Sequence, residues 1–510
     1  MRTSNLLSRI VLVSMATSGT CVAMGCTSHV SDEPSVPDGS TTGADASIAT
    51  DASTETPDAS TASDAATADA SNGDAGDSGT AIVDAGPESG STTFPAKANC
   101  TDAVEFVHYA SPTTATHVAL ASSESSPVGF VWNRSGGPND GAYQSCSTAT
   151  FGNGSWQLPS APLPIGNQMC GLVAGRDTHV AAGGGATTFL WADRNADSSW
   201  TLKTLRSTGV SFGSGVTVAT DASYGDSFVN LHVTPTQGRG IVSWTNANSD
   251  IVVSLLSPNG TSVTSLDPNA TSSALVAAVT IDDSGNGFVV WTEAGTSNRV
   301  MARAIRNGAY VGGAVPLAAT GTPTANGLDV AMLPGGDAYV VWPETSPSGL
   351  RGASLHVGAQ GTSATWSVSE SLDSGFTVEG LRAVASDDGE VTVAWGRAPR
   401  AGLLARRRPV GQAWSPPTTI AADAKTPSGR RPLFLDGRGD ATLLWTDDTY
   451  SLFHARATKG ATTWNAPVRV DVGALAGDVS SYVTATALPT TGDVLAVWQA
   501  AGSLRFATCR

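Results

Sequence analysis

Five arginines lie close together in the stretch RAPRAGLLARRRP, which covers residues 397–409. A guanidinium group can donate two parallel hydrogen bonds to the oxygens of a carboxylate or a phosphate. The stretch therefore predicts an anion-binding site, with the candidate residues Arg397, Arg400, Arg406, Arg407 and Arg408. Arg303 and Arg456 each follow an alanine, as Arg406 does, so part of this cluster is expected to be a repeated feature of a strand.

A candidate metal site lies in DRNADSSW, residues 193–200. Asp193, Asn195 and Asp197 alternate in the way that oxygen ligands alternate in calcium loops. Ser198 replaces the usual glycine, however, and the later acidic ligand is missing. We expect a solvated loop, with a Ca²⁺ site as the alternative, and we expect no other cofactor.

Three further patterns suit catalysis but have simpler explanations. GVSFG at residues 209–213 fits the G-x-S-x-G pattern of hydrolases, yet it lacks the strand–turn–helix context and the partnered histidine. The pairs Asp387/Asp388 and Asp447/Asp448 lie in or near predicted turns, where aspartate is favoured. We expect no catalytic residue, and therefore a protein that is not an enzyme.

The elements that position these residues repeat along the chain. A short apolar run ends in tryptophan eight times, at spacings of 59, 53, 47, 51, 53, 50 and 53 residues. The repeated residues are Trp132, Trp191, Trp244, Trp291, Trp342, Trp395, Trp445 and Trp498. Glycine lies six residues before every one of them except the first, which has Ser126. Periods of this length indicate propellers or related repeat arrays.

Each repeat predicts four β-strands and no helix. An apolar segment, a Gly/Asp turn, the run ending in tryptophan and two further strand-like segments follow one another. The fold class is therefore all-β, a β-propeller of eight blades, with seven blades as the alternative. We expect each repeated tryptophan to pack between neighbouring sheets.

The two ends of the propeller are expected to close the ring. The last repeat stops at LRFATCR, without room for its fourth strand, and an unassigned strand-like segment lies at residues 98–109. If this segment completes the last blade, Cys100 lies beside Cys509, and Cys146 with Cys170 forms a second disulfide near the first blades. Four cysteines allow three pairings, and other pairings remain open at this point.

The first 95 residues have the composition of an export signal and a tether. Arg2 and Arg9 give a basic start before a short apolar core, which suits a signal peptide over residues 1–25. Residues 26–95 are rich in Ala, Ser, Thr and Asp, and residues 27–99 contain 13 acidic residues and one lysine. Such a segment is expected to be disordered and extended by self-repulsion. The propeller then occupies residues 96–510.

Resemblances to known families sharpen these expectations. AMGC, ending at Cys26, resembles the lipobox of bacterial lipoproteins, although Ala23 stands where leucine is usual. The resemblance implies lipidation of Cys26 and, because Thr27 is not aspartate, an outer-membrane location; secretion after ordinary cleavage is the alternative. SDDGEVTVAW resembles the Asp-boxes of sialidases, and the Gly-to-Trp run is similar to that of eight-bladed Trp-docking propellers. As a whole, the chain resembles secreted or lipid-anchored bacterial β-propeller repeat proteins.

The charge distribution limits the classes of partner that the propeller is expected to bind. Residues 101–510 carry 31 acidic and 25 basic residues, so the propeller lacks the basic footprint that nucleic-acid binding requires. We expect a monomeric, exported binding module for a protein or a glycan, which contacts the membrane only through its lipid. The alternatives are a sialidase-like glycoside hydrolase and an outer-membrane assembly scaffold.

Overall fold

A computed structural model describes residues 100–510, apart from connecting segments between strands. The longer of these gaps are 136–143, 158–169, 172–179, 267–273, 425–432 and 472–478. Side chains are described mainly from residue 180 onward. All described residues belong to one compact unit, 91–510. The signal, the tether and Cys26, which the sequence assigns to residues 1–95, lie outside the described residues.

The strands of the described residues form eight antiparallel sheets, which we number along the chain. The strand that precedes them all is β1 (Val104–His108). Sheet 1 contains β2 (Ala115–Ser123), β3 (Ser126–Ser135), β4 (Gln144–Gly152) and β5 (Ser155–Gln157). Sheet 2 contains β6 (Cys170–Gly171), β7 (Val180–Gly183), β8 (Ala186–Arg194), β9 (Trp200–Thr208), β10 (Ser211–Phe212) and β11 (Val216–Ala222). Sheet 3 contains β12 (Asn230–Val233), β13 (Gly240–Thr245), β14 (Ile251–Leu256) and β15 (Val263–Leu266). Sheet 4 contains β16 (Ala274–Ile281), β17 (Gly287–Glu293), β18 (Arg299–Arg306) and β19 (Ala309–Leu317).

The remaining sheets follow the same order. Sheet 5 contains β20 (Asp329–Met332), β21 (Ala338–Thr345), β22 (Ser348–Val357), β23 (Ala364–Trp366) and β24 (Glu370–Ser374), with a 3₁₀ turn at Pro334–Gly336. Sheet 6 contains β25 (Thr377–Ala385), β26 (Val391–Ala398), β27 (Leu403–Arg408) and β28 (Thr418–Ala421). Sheet 7 contains β29 (Leu433–Leu435), β30 (Ala441–Thr446), β31 (Leu452–Ala457) and β32 (Val468–Arg469). Sheet 8 contains β33 (Val479–Ala487), β34 (Val494–Ala500) and β35 (Ser503–Cys509), and β1 is its fourth strand.

The sheets form a closed ring. The first full strand of each sheet contacts that of the next sheet, from β2 through β7, β12, β16, β20, β25 and β29 to β33, and β33 contacts β2 again. Each sheet is therefore covered on both faces, and the apolar core is a series of clusters between successive sheets. This architecture is a β-propeller, and the predicted fold class is confirmed.

The repeated Gly-to-Trp run has the same structure in successive sheets. All seven glycines that lie six residues before the tryptophan have a positive φ, between 66° and 94°. A positive φ suits glycine because it has no Cβ to clash with the backbone. The tryptophans at 191, 244, 291, 342, 395, 445 and 498 are at most 5 % exposed, and Trp132 lies on β3. The motif thus serves the architecture, with a turn at one end and a packing residue at the other.

Sheet 8 joins the two ends of the ring. β1 pairs antiparallel with β35, and Cys100 forms a disulfide with Cys509. The Thr101 amide donates to the Thr508 carbonyl at 2.9 Å, which continues the pairing between the disulfide and β1. The strand nearest the tether is therefore held by hydrogen bonds and by a covalent bond to the last strand.

Candidate functional site at the seam between sheets 5 and 6

The outer strand of sheet 5 departs from the repeat. It is divided into β23 and β24, which pair with different parts of β22, and residues 367–369 between them belong to neither strand. Val368 in this break is 89 % exposed. After the break, Glu370 and Asp373 both reach side chains of sheet 6. The irregular strand therefore brings two carboxylates to the seam between the sheets.

Glu370 joins two aromatic side chains from different sheets. Its Oε1 accepts hydrogen bonds from the Tyr339 hydroxyl at 2.7 Å and from the Trp414 indole N–H at 2.8 Å. Tyr339 is fully buried on β21, whereas Trp414 follows β27 and is partly exposed. The Glu370 side chain is 43 % exposed, and its Oε2 accepts no hydrogen bond from a described residue. One carboxylate oxygen thus orients the group, and the other is available to a ligand.

Arg408 completes this group. Its guanidinium carbon lies 4.6 Å from the ring centre of Tyr339 and 5.3 Å from that of Trp414, within the range of cation–π attraction. Its Nη1 lies 3.8 Å from Glu370 Oε1, and the guanidinium donates no hydrogen bond to any residue that the structure describes. The Arg408 side chain is 23 % exposed. We call Tyr339, Glu370, Arg408 and Trp414 the seam site.

Burial and the carboxylate keep Tyr339 neutral. Desolvation raises the pKa of the Tyr339 hydroxyl most, and its hydrogen bond to Glu370 and the charge of Glu370 raise that pKa further. The hydroxyl therefore remains a hydrogen-bond donor at neutral pH. As a result, Glu370 keeps its orientation over the pH range in which proteins usually work.

Gly352 makes room for Tyr339. A Cβ at residue 352 would lie 2.2 Å from the Tyr339 hydroxyl oxygen and less than 3 Å from two of its ring carbons. Tyr339 cannot withdraw, because it is fully buried within the cluster between sheets 5 and 6. A glycine on β22 is therefore required for the tyrosine to reach Glu370.

The second carboxylate, Asp373, is fully engaged within the protein. It accepts two hydrogen bonds from Arg397, at 2.6 and 2.8 Å, and one from the Trp395 indole N–H at 2.8 Å. Burial alone would raise the pKa of Asp373, but these hydrogen bonds outweigh it and the pKa lies below its ordinary value. Asp373 thus ties sheet 5 to sheet 6 beside the seam site.

Most arginines of the predicted anion site have partners within the protein. Arg397 pairs with Asp373, and Arg406 donates to the carbonyls of Leu372 at 2.8 Å and Ser415 at 2.6 Å. Arg407 is buried, with Nη2 2.6 Å from Glu390. Of the described members, Arg408 alone reaches the seam site without a hydrogen-bonded acceptor.

The fifth member, Arg400, lies outside the described residues. Arg406 and Arg408 face the same side of β27, with guanidinium carbons 5.9 and 5.3 Å from the Trp414 ring centre, whereas Arg407 faces the opposite side.

Strand register corrects the alignment of arginines that the sequence indicates. Arg303 and Arg406 both pair with the residue two positions before the repeated tryptophan. Arg456 instead pairs with Thr442, three positions before the tryptophan, as Arg407 does with Thr392. The repeated tryptophan and its pairing partner are nine residues apart in sheet 6 and eight apart in sheet 7, and a shift of one residue places a side chain on the opposite face.

The other candidate residues are spread over the propeller. Asp193 is the last residue but one of β8, while Asn195 and Asp197 lie outside the described residues, so the predicted calcium loop stays a prediction. Cys146 lies on β4 and Cys170 on β6, and these two strands are in contact. The pairing of Cys146 with Cys170 also stays a prediction.

The hydrolase-like and acidic pairs behave as turn or strand residues where they are described. Ser211, the central residue of GVSFG, pairs with Thr208 in a short antiparallel ladder. Asp388 accepts a hydrogen bond from Ser386 and lies 3.0 Å from Lys459, and Asp447 accepts one from the Ser451 amide. The Ser386 and Ser451 contacts are each made within one turn, and the Lys459 contact joins the neighbouring sheets 6 and 7.

No motif in the sequence marks Glu370, Tyr339 or Trp414 as members of a site. Glu370 belongs to a polar stretch without a motif, and Tyr339 lies inside a repeated apolar run. The signal that the sequence contains is the fourth strand of sheet 5, where SVSESLDSG departs from the W-x-x-P pattern of sheets 6 and 7.

Comparisons with known proteins show distant likeness to propellers. No protein family matches the chain, and no curated protein matches it. The fucose lectin of Aleuria aurantia, described as a six-bladed β-propeller, is 13 % identical; the match covers 58 % of this chain and 95 % of the lectin, with a TM-score of 0.36. The polysaccharide lyase Uly1 is 9 % identical over 68 % of this chain and 93 % of the lyase, with a TM-score of 0.42.

A third similar structure is KlAtg21, solved with the coiled coil of AgAtg16, which is 8 % identical over 70 % of this chain and 99 % of that one, with a TM-score of 0.42. These likenesses are too distant to bear on ligand or activity. In the described part of the chain, no helix has the length and apolar character needed to cross a membrane.

Proposed function

We propose that this protein is a lipid-anchored propeller of the cell envelope, which binds a glycan at the seam site without chemically changing it. The observation that carries the proposal is the pairing of Glu370 with Arg408. An oriented carboxylate with a free oxygen lies beside a guanidinium without a hydrogen-bonded acceptor, next to a partly exposed indole. Acceptor, donors and an aromatic face are the three features that a sugar ring requires.

The hydrogen-bonding groups of the site match neighbouring hydroxyls. Each sugar hydroxyl can donate one hydrogen bond and accept others, as a serine hydroxyl does. One hydroxyl can donate to Glu370 Oε2 while its neighbour accepts from the Arg408 guanidinium. The apolar C–H face of the ring then packs on Trp414, because a tryptophan ring offers a large flat surface.

The charge of the site favours a neutral ligand. Arg408 Nη1 lies 3.8 Å from Glu370 Oε1, so these two opposite charges largely cancel toward a ligand. The neighbouring Arg406 guanidinium, 5.9 Å from the Trp414 ring centre, donates its hydrogen bonds to the carbonyls of Leu372 and Ser415. A phosphate or a carboxylate would approach Glu370 as closely as it approaches Arg408, and the repulsion would offset the attraction. A neutral polyhydroxyl compound is not repelled by either group. We therefore propose a neutral sugar in place of the anion that the arginine cluster suggested.

The seam site is particular to sheet 6 among the sheets that can be compared. Residues that pair with the fourth position before the repeated tryptophan are Ile305 in sheet 4, Arg408 in sheet 6 and Ala457 in sheet 7. Trp414 has equivalents in Tyr310 and Trp464, each 19 residues after the repeated tryptophan. The aromatic position thus recurs, and the arginine distinguishes sheet 6.

The proposal for the location rests on the sequence. The lipobox-like AMGC supports an anchor at Cys26, and the acidic segment that follows supports a tether that holds the propeller away from the membrane. Mass spectrometry of the mature N-terminus tests this part. A diacyl or triacyl modification of Cys26 supports it, and an unmodified terminus at another residue contradicts it.

Binding of glycans to the purified protein tests the main proposal. We expect the wild-type protein to bind at least one neutral glycan on an array, and we expect Trp414→Ala, Arg408→Ala and Glu370→Gln to weaken it at least about tenfold, which corresponds to about 1.4 kcal/mol. Arg303→Ala is the matched control, since Arg303 lies over Tyr310 in sheet 4. Equal loss in the control, or binding unchanged in the three variants, contradicts the assignment. Release of a free sugar during binding contradicts the absence of catalysis.

A further inference from the structure

The side chain of His454 is buried without a hydrogen bond to any described residue. It lies on β31 in sheet 7 and is 3 % exposed. Neither Nδ1 nor Nε2 has a hydrogen-bond partner among the residues that the structure describes. Buried polar atoms usually have partners, because leaving them without one costs free energy. A buried imidazole without hydrogen bonds is therefore a candidate ligand for an ion.

The imidazole lies against the closing disulfide. A ring nitrogen of His454 and the Sγ atoms of Cys100 and Cys509 all lie within 4.8 Å of one another. The three residues are distant in the sequence and meet only because β1 completes sheet 8 next to sheet 7. Ring closure therefore builds a cluster of two sulfur atoms and one imidazole.

We propose that Cys100, Cys509 and His454 bind Zn²⁺ when the disulfide is reduced. Thiolate and imidazole are the preferred ligands of zinc, and two cysteines with one histidine leave a fourth position for water. The two thiolate charges balance the charge of the ion, so the complex carries no net charge among the apolar side chains around it. Those neighbours include Leu452, Val470 and Val494.

The chemistry balances in two steps. A dithiol reductant supplies two electrons and two protons, its own sulfurs become a disulfide, and the Cys100–Cys509 bond becomes two thiols. Zn²⁺ then binds both sulfurs and the unprotonated nitrogen of His454, and two protons leave the thiols. The sulfur–sulfur bond and the metal are therefore alternatives, and either one connects β1 to β35. The metal site would keep the ring closed under reducing conditions.

Zinc binding to the reduced full-length protein tests the proposal. The protein is reduced with dithiothreitol, which is removed under argon, and Zn²⁺ is then titrated in competition with a chromophoric chelator. We expect one tightly bound ion per chain in the reduced protein and none in the oxidised protein. Replacement of zinc by Co²⁺ is expected to give the absorption of cobalt–thiolate bonds.

Variants decide which residues bind the ion. His454→Asn and the double change Cys100→Ser with Cys509→Ser are expected to weaken zinc binding at least tenfold, whereas Cys146→Ser with Cys170→Ser leaves it unchanged. Circular dichroism of each variant shows whether it is folded. Zinc is also expected to raise the melting temperature of the reduced wild type and not that of the folded His454→Asn variant. Absence of binding by the reduced wild type, or equal affinity in His454→Asn, overturns the proposal.

Discussion

At the scale of the residue, the seam site depends on a close approach that only glycine permits. Gly352→Ala places a methyl group against the buried Tyr339, whose hydroxyl orients Glu370. We expect the change to lower the free energy of unfolding by about 1–3 kcal/mol, as overpacking of a core does. Gly313→Ala is the control, since a Cβ there meets no atom within 4 Å. Chemical denaturation measures both, and equal stability of the two variants contradicts the packing argument.

A second residue-scale prediction concerns pH. Burial lowers the pKa of His232 to about 4 in the folded protein, from an ordinary value of 6.5, although nearby Asp283 opposes the shift. The folded state therefore binds the proton less readily than the unfolded chain, and stability is full above pH 6.5 and decreases as the pH falls toward 4. The contribution of His232 to the free energy of unfolding is expected to fall by about 2 kcal/mol between pH 7.5 and pH 5.

Comparison with a variant isolates this contribution. His232→Gln is expected to lose less stability than the wild type on acidification, because glutamine does not titrate. His356→Gln is the control, since that ring is 48 % exposed and lies 2.7 Å from Asp337. Urea unfolding at several pH values measures the slopes. A wild-type slope retained in His232→Gln contradicts the assignment.

At the scale of the element, β1 is the part of the ring that the disulfide secures. The disulfide connects residues that are 409 positions apart in the sequence, so it strongly restricts the conformations of the unfolded chain. Replacing both Cys100 and Cys509 with serine is expected to lower the free energy of unfolding by about 2–5 kcal/mol. The measurement is urea unfolding in the presence of a chelator, which excludes metal binding. Reduction of a variant in which Cys146 and Cys170 are replaced with serine is expected to give the same loss, and no loss in either case would show that β1 closes the ring through hydrogen bonds alone.

The seam elements also show why the sequence predicts the fold better than the site. The Gly-to-Trp run repeats because each sheet needs the same turn and the same buried ring, so local pattern and fold agree. Glu370 and Trp414 are 44 residues apart and meet only where β24 contacts sheet 6. This contact joins irregular segments of different repeats. It does not recur at a fixed spacing, and so the sequence does not predict it.

At the scale of the whole molecule, a difference of one residue in strand register decides which face of its sheet a side chain occupies. The sequence predicts one site for the arginine cluster, yet Arg397 lies on β26, the three arginines of β27 face both sides of that strand, and the members have different partners. The repeated residues therefore build the propeller, and the residues that depart from the repeat form the candidate binding site. The break in the outer strand of sheet 5 and the arginine at residue 408 are two such departures on the same seam.

The central claim is that a neutral glycan binds against Trp414. Its indole N–H donates to Glu370 Oε1, so the indole proton resonance reports directly on the site. Heteronuclear NMR of the labelled protein, with the Trp414 resonance assigned through Trp414→Phe, follows this proton while the glycan found by the array is added. We predict a saturable shift of this resonance, with other indole resonances unchanged, and loss of the shift in Arg408→Ala. A glycan that binds with the same affinity and leaves the Trp414 resonance unmoved would contradict the account.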